Sequence, residues 1–436
     1  MTVTVPQPPP EGVDQATKDV ALAPDARLVS TGRVRGMGIF LVLLAVAMVF
    51  GFGGVSSSLK AQFQLNSPPL TTWPGTLHMS VRTVAIALGV VTAVIGVVLV
   101  VRSRRRGSFL LFGIGCILFL WVFLAWAAKG TELNVLAVLA GTVVAATPLV
   151  YGALSGVMCE RSGVVNIAIE GQFLAGAFLG AMIASATHDL WLGIVAGAVA
   201  GAIFGALLAF LALRYGADQI IVGVVIVTFC TGLTNFLTSQ VLSPHQNLNI
   251  GITFRNWAIP GLSKIPIVGP VLFDQNVFIY GAIVLLVLIQ VALFRTRWGL
   301  RVRAVGEHPQ AAATVGIHVL SVRYRNVILG GVIAGIGGAF FTIGSTGVFA
   351  SEMTADLGYV ALAAMIFGRW RPYGALGAAL LFGFAQNLQT FLSLLNVHIP
   401  PALLATAPYV ITIAVVAGLV GQVRPPAADG TPYVKE

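Results

Sequence analysis

Apolar stretches of roughly twenty residues recur along this whole chain, and that recurrence leaves few folds open. A hydrocarbon core about 30 Å thick takes roughly 20 helical residues to cross. Runs of that kind are read at 37–54, 82–101, 109–128, 133–157, 171–187, 190–213, 219–242, 277–295, 325–349, 357–369, 373–395 and 402–421. Backbone N–H and C=O groups inside lipid must pair within the protein, which leaves helical bundles and closed barrels. Strand-like alternation is absent, so the expected fold is an all-α polytopic membrane protein, a helical bundle of about 12 transmembrane segments. Hydrophobic residues make up 57% of the 436 and charged residues 9%. About 25% charged is usual in soluble domains, so this sequence cannot build a water-exposed surface.

Threading the spans with the amino terminus inside puts only Lys60, Arg82, Lys129, Arg255 and Lys264 outside, among 25 Lys and Arg. The positive-inside bias therefore predicts cytoplasmic amino and carboxyl termini. Residues 1–36 open on a Pro cluster without apolar periodicity and read as a disordered cytoplasmic tail, as does 422–436. The first apolar run has no small-residue cleavage site after it and reads as a retained span. Between the tails lie an N-terminal extension of three spans, 37–128, and a core, 129–421. The 357–369 run is short for a full crossing, and Pro148 and Pro408 predict kinks. The connection 243–276, with four prolines and Trp257, suits a structured cap at the outer mouth.

Several chemistries are excluded. Cys116, Cys159 and Cys230 are isolated and have no His or Cys at ligand spacing, so neither disulfide nor metal is expected. No phosphate loop, nucleophile elbow or His-Glu-x-x-His pair occurs, so the chain is not expected to be an enzyme or to bind ATP or another cofactor itself. The formal charge of +10 sits in short loops beside apolar spans, where orientation and anionic lipid account for it better than nucleic acid does. Carboxylates such as Glu132, Glu160, Glu170, Asp189, Asp218, Asp274, Glu352 and Asp356 fall at predicted span ends. That distribution disfavours a proton relay, although backbone carbonyls leave sodium coupling open.

Neutral polar side chains do lie within spans. Thr231, Asn235 and Thr238 share one helix face; Gln386, Thr390 and Ser393 share another, with Asn387 and Gln389 beside them. Uncharged donors and acceptors suit a hydroxyl-rich solute, and interhelical hydrogen bonding is the alternative reading of each. Residues 159–171 are too polar for a regular crossing yet apolar at their centre, which suits a loop or a re-entrant segment. Glu170 there either stabilises the start of its helix or takes part in gating or solute contact. Small residues four apart (Gly176 and Gly180; Gly197, Gly201 and Gly205; Gly331 and Gly335) predict close helix packing.

A basic loop from Arg295 to Arg325 holds six arginines and one Ala-rich word, Glu307 to Gly316, long enough for about two helical turns. Alone in water so short a helix is marginal, so a partner would stabilise it. The residues Thr147-Pro148-Leu149, then Glu160-Arg161-Ser162-Gly163-Val164-Val165-Asn166-Ile167 with Glu170-Gly171, and later Arg303-Ala304-Val305-Gly306-Glu307-His308-Pro309 with Ala311-Ala312 and Gly316-Ile317, resemble a known family. The resemblance is to permease subunits of bacterial ABC importers for nucleosides and simple sugars, within the branched-chain amino acid and ribose permease superfamily. It spans roughly 133–424. Asp218-Gln219 stands where relatives typically carry Asn-Gln, and 37–128 lies outside the match.

The resemblance implies a coupling helix built from Gly306, Glu307, Pro309, Ala311, Ala312 and Gly316, seated in a separate ATPase subunit that binds ATP and Mg. It also implies a second related permease, an extracytoplasmic solute-binding lipoprotein and a place in the bacterial cytoplasmic membrane. The candidate pathway residues are Asn166, Glu170, Thr231, Asn235, Gln386, Asn387 and Thr390. The expected function is ATP-driven import of a nucleoside or related sugar. Ribose or a branched-chain amino acid as solute, an ion-coupled secondary transporter, and a structural membrane protein are the alternatives.

Overall fold

The computed structural model describes residues 31–54, 60–65, 75–102, 107–394 and 424–433. They are mostly helical, and among them ten helices are long and apolar enough to cross a membrane. The chain is a multi-pass membrane protein. Two compact units form, one from Met1–Gln62 with His78–Thr131 and one from Phe63–Leu77 with Glu132–Glu436.

In the first unit, α1 (Thr31–Val46), α2 (Val81–Val101) and α3 (Ser108–Ala127) pack side by side. Gly38 and Gly96 face each other so closely that a Cβ on Gly38 would lie 2.6 Å from the Gly96 carbonyl. Phe52, Phe119, Phe123 and Trp126 cluster near the ends of these helices.

The second unit holds α4 (Val135–Glu160), α5 (Ile169–Thr187), α6 (Leu190–Ala209), α7 (Gln219–Leu237), α8 (Val277–Arg295), α9 (Arg297–Glu307), α10 (Pro309–Thr314), α11 (Val319–Phe341), α12 (Leu357–Phe367) and α13 (Pro372–Leu394). α6, α7 and α11 continue as π-helical turns, to Arg214, Leu242 and Thr346 respectively. α11 is central, packed on α4, α5 and α6; α13 and α12 pack on α4, and α7 on α5. Small residues make this possible: a Cβ on Gly201 would collide with the Gly331 carbonyl, and one on Gly335 with that of Gly197. The small-residue spacing read in the sequence is thus the α6–α11 seam, where backbones touch and dispersion replaces side-chain interlock.

The connection 243–276, expected as an outer cap, is ordered, with two short 3₁₀ turns and antiparallel pairing of Trp257–Ala258 with Asp274–Gln275. One span expectation changes. The 357–369 run forms only the 11-residue α12, about 16 Å long and too short to cross by itself. The 402–421 run and Pro408 lie outside the described residues, and the other ten expected spans each correspond to one of the ten long helices. α4 runs through Pro148 without ending.

Candidate functional site

One end of the second unit collects arginines, and there the basic loop takes shape. Thr296 caps α9, its Oγ1 accepting from the Gly299 N–H at 3.1 Å. The helix stops at His308, and Pro309 restarts the chain as α10, so the expected single coupling helix is two short helices with a corner between them. Proline suits a first helical position because that N–H has no intrahelical partner anyway. Ala312 is 3% exposed and sits against Val305 and Val319, with Tyr433 at the edge. A Cβ on Gly306 would strike the Arg161 carbonyl, and Gly316 turns the chain at φ +83°. Gly306 and Ala312 therefore anchor the prong to the bundle. Glu307, Gln310, Ala311, Thr314 and Val315 are exposed, Val315 by 75%, while Pro309 is half-buried.

The segment 424–433, expected as part of a disordered tail, is instead ordered as a strap across this end. The Ala428 N–H donates to the Gly306 carbonyl at 2.9 Å and the Ala427 N–H to Glu307 Oε2 at 3.3 Å. Fully buried Arg323 donates to the carbonyls of Thr431 at 2.9 Å and Ala428 at 3.4 Å. Gly163, at φ +87°, leaves the space that the Arg323 guanidinium occupies, which accounts for glycine in the 160–167 motif. Burial, foremost, pushes the Asp429 carboxyl up to about 6, while its hydrogen bond to the Glu160 carboxyl and the Arg323 charge act in the opposite direction. Two carboxyl groups hydrogen bond only by holding a proton between them. Glu160 also accepts from Trp370 Nε1, and Arg161 Nε donates to the Trp370 carbonyl at 2.9 Å.

Eight residues separate α4 from α5, and they rise into the bundle instead of running along its end. Gly171 lies against Val227 and Cys230, eight and eleven residues beyond Gln219 at the start of α7. At 1.5 Å per residue, Glu170 sits roughly halfway along that helix. Residues 161–168 thus reach inward along α7, in keeping with the re-entrant reading of 159–171, and Glu170 stands beside the middle of a long apolar helix, where no carboxylate was expected. A span end need not lie at a membrane surface. Glu170 is 4% exposed, and its Oε1 accepts from the Thr354 hydroxyl and, at 3.1 Å, from the Asp356 N–H; Oε2 accepts from the Gly358 N–H at 2.6 Å. It satisfies the first N–H groups of α12, a neighbouring helix, in addition to lying in the first turn of its own.

Asn166 is fully buried, donating to Ser155 Oγ at 3.3 Å and Gln172 Oε1 at 3.1 Å. Asn235 Nδ2 donates to Glu352 Oε1 at 3.3 Å. The Thr231 carbonyl accepts from Thr234 Oγ1 at 3.2 Å. Asn387 donates to the Val138 carbonyl at 2.7 Å, tying α13 to α4, and Thr390 to the Gln386 carbonyl at 3.4 Å. The α7 stripe thus reaches the 350–356 segment, whereas Asn387 serves helix packing.

Residues 138–416 match the family described as branched-chain amino acid transport system / permease component. The chain belongs to that permease family. It is similar to the guanosine ABC transporter permease protein NupQ of Bacillus subtilis, 39% identical over 307 residues that cover 67% of this chain and 95% of NupQ. The nucleoside ABC transporter permease protein NupC of Lactococcus lactis is 38% identical, over 68% of this chain and 96% of NupC. A second Lactococcus protein, the nucleoside ABC transporter permease protein NupB, is 26% identical over 62% of this chain and 76% of NupB. No solved structure matches.

The permease is a transport component, and its unusual Asp218 has a plain role: Oδ1 caps α7 by accepting from the Ile220 and Ile221 N–H groups at 2.8 and 3.1 Å. Gln219 accepts from the Val165 N–H at 2.8 Å, pinning the rising loop. Arg323, Asp429, Thr354 and Gly358 escaped sequence reasoning because their partners lie far away in the chain. Only the Arg323 charge and the Gly163 motif offered a signal, and the exposure of Val315 had none.

Proposed function

We propose that this permease is the membrane-spanning subunit of an ATP-driven importer for nucleosides or related sugars in the bacterial cytoplasmic membrane. The observation that carries this reading is the similarity to permeases named for guanosine and nucleosides over nearly their whole length. In this reading the arginine-rich end is cytoplasmic, as the charge bias also indicates, and the full count is twelve crossings, one completed jointly by the 347–356 segment and α12 and one by 402–421. The prong α9–α10 is the coupling element. Its base is fixed by Gly306 and Ala312, and its exposed face, with Val315 as an apolar tip, seats in a separate ATPase that carries ATP and Mg. That Lactococcus lactis has two permeases similar to this chain supports pairing with a second, related permease. An extracytoplasmic solute-binding lipoprotein delivers the solute.

ATP binding draws the two prongs together, and the rigid α9–α10 base passes that displacement to α11 and the 159–171 loop through Arg323 and Gly306. The test is uptake by proteoliposomes holding the permease with its ATPase, second permease and binding protein. ATP-dependent accumulation of guanosine or uridine, with ribose and leucine poor competitors, is expected. Uptake that ignores ATP and stops when ion gradients are collapsed would replace this reading with a secondary transporter.

A further inference from the structure

The segment between α11 and α12 behaves unlike a surface loop. At its start, the Phe349 N–H donates to Asn249 Oδ1 at 2.7 Å and Gly347 packs on Gly251, so it leaves from the end opposite the arginines. Seven residues later it meets Glu170, halfway along α7. Between these points Glu352 touches Asn235, sixteen residues into the α7 span and about 10 Å short of its end at Leu242. Ser351, Glu352, Ala355, Asp356 and Tyr359 are all exposed. Two ionisable carboxyls and a run of irregular backbone at this depth are tolerated only where they line water or protein, never lipid.

A second observation places an open cavity next to this track. Beyond Asn235 by one helical turn lies Thr238, which lines an open cavity of about 670 Å³ with Ser243, Gln246, Asn247 and Asn249. Among the described residues no charged side chain lines it. Asn249 is fully engaged with Phe349, donating to its carbonyl at 3.0 Å, so the cavity floor and the descending segment are one rigid piece. Asn235 Oδ1, at the point where the track reaches Glu352, has no partner among the described residues.

We propose that residues 350–356, with the Thr231–Asn235–Thr238 edge of α7, form the wall of the solute pathway, and that Glu352 accepts hydrogen bonds from the vicinal hydroxyls of a passing sugar ring. This rests on the nucleoside reading above and names the group that recognises the ribose. A carboxylate offers two oxygens, which match a pair of neighbouring O–H donors, and the unpartnered Asn235 amide oxygen supplies a further acceptor. Selection against a solute that lacks the diol follows, because the carboxylate would then cross from water to a partner-free contact.

The experiment uses the reconstituted complex with A355C and S351C variants, probed by a membrane-impermeant cationic thiol reagent. Buried Cys159 and Cys230 and half-buried Cys116 set the wild-type background. Both introduced thiols are expected to react, and excess guanosine to slow the reaction at least severalfold. E352Q is expected to raise the KM for guanosine about tenfold and to leave that for 2′,3′-dideoxyguanosine unchanged. Thiols that stay unreactive in a complex that transports, or E352Q with wild-type KM for guanosine, would overturn the proposal. If ribose or glucose protects and guanosine does not, the pathway assignment stands and the nucleoside reading falls.

Discussion

At the scale of single residues, the family motifs turn out to mark structural necessities as much as chemistry. Gly163 and Gly306 leave no room for a Cβ because Arg323 and the Arg161 carbonyl occupy it. Glu170 holds three donors at the start of α12. Glu170→Ala strands those donors in a buried site, so we expect a loss of about 3 kcal/mol or more, read as a lower unfolding temperature in detergent, with Glu170→Gln intermediate. Wild-type unfolding temperatures in both variants would show that the cap is dispensable. Val315 has the opposite character, an apolar side chain held out in water. Val315→Asp should abolish co-purification of the ATPase and cut uptake more than tenfold while membrane insertion is unchanged. Retention of the ATPase at wild-type yield would place the docking surface elsewhere. The glycines and the prong word were legible in the sequence, whereas which prong residues face inward was not. Six residues of helix do not reveal their buried side until Val305 and Val319 are seen beneath Ala312.

Among the elements, the 424–433 strap is the one that only the fold discloses. Proline, alanine and glycine give it no periodicity, and its order comes from contacts to distant residues, among them the Gly306 carbonyl, Glu307, Arg323 and Glu160. The Asp429 carboxyl titrates near 6 in this position against an ordinary 3.8. A raised carboxyl binds its proton more tightly when the strap is docked, so docking is favoured as pH falls below about 6 and weakens as pH rises through it. Glu160, Arg323 and Cys159 are the titratable and charged groups that face it. Opening of the strap, read as the exchange rate of the Ala427 and Ala428 amide hydrogens after correction for the intrinsic pH dependence, should therefore be several times slower at pH 5 than at pH 7.5, and Asp429→Asn should lose most of that difference. Equal rates for the natural sequence at the two pH values would show that no shared proton holds the strap. The α12 half-helix makes a related point: the run 357–369 reads as a span by hydropathy, yet its 11 residues reach only partway, because the chain spends 347–356 descending to meet Glu170.

For the whole molecule, the family match begins at residue 138, and NupQ and NupC are almost fully covered by two-thirds of this chain. The three helices of the first unit thus precede the residues that match the family. We expect a chain beginning at Lys129 to insert and to support ATP-dependent uptake with its partners at no less than about half the full-length rate. Loss of uptake with normal insertion would make the first unit part of the transport machinery. The sequence by itself determined that the protein is a helical membrane bundle, where nearly all its spans lie and which family it joins. Hydropathy and helix length answer to lipid thickness alone, and motif residues lie next to one another in the chain. Depth was decided only by the tertiary structure. A helix end at the membrane surface and one at its centre have the same local sequence, so the positions of Glu170, Glu352 and Asp356 followed from which distant helices they meet.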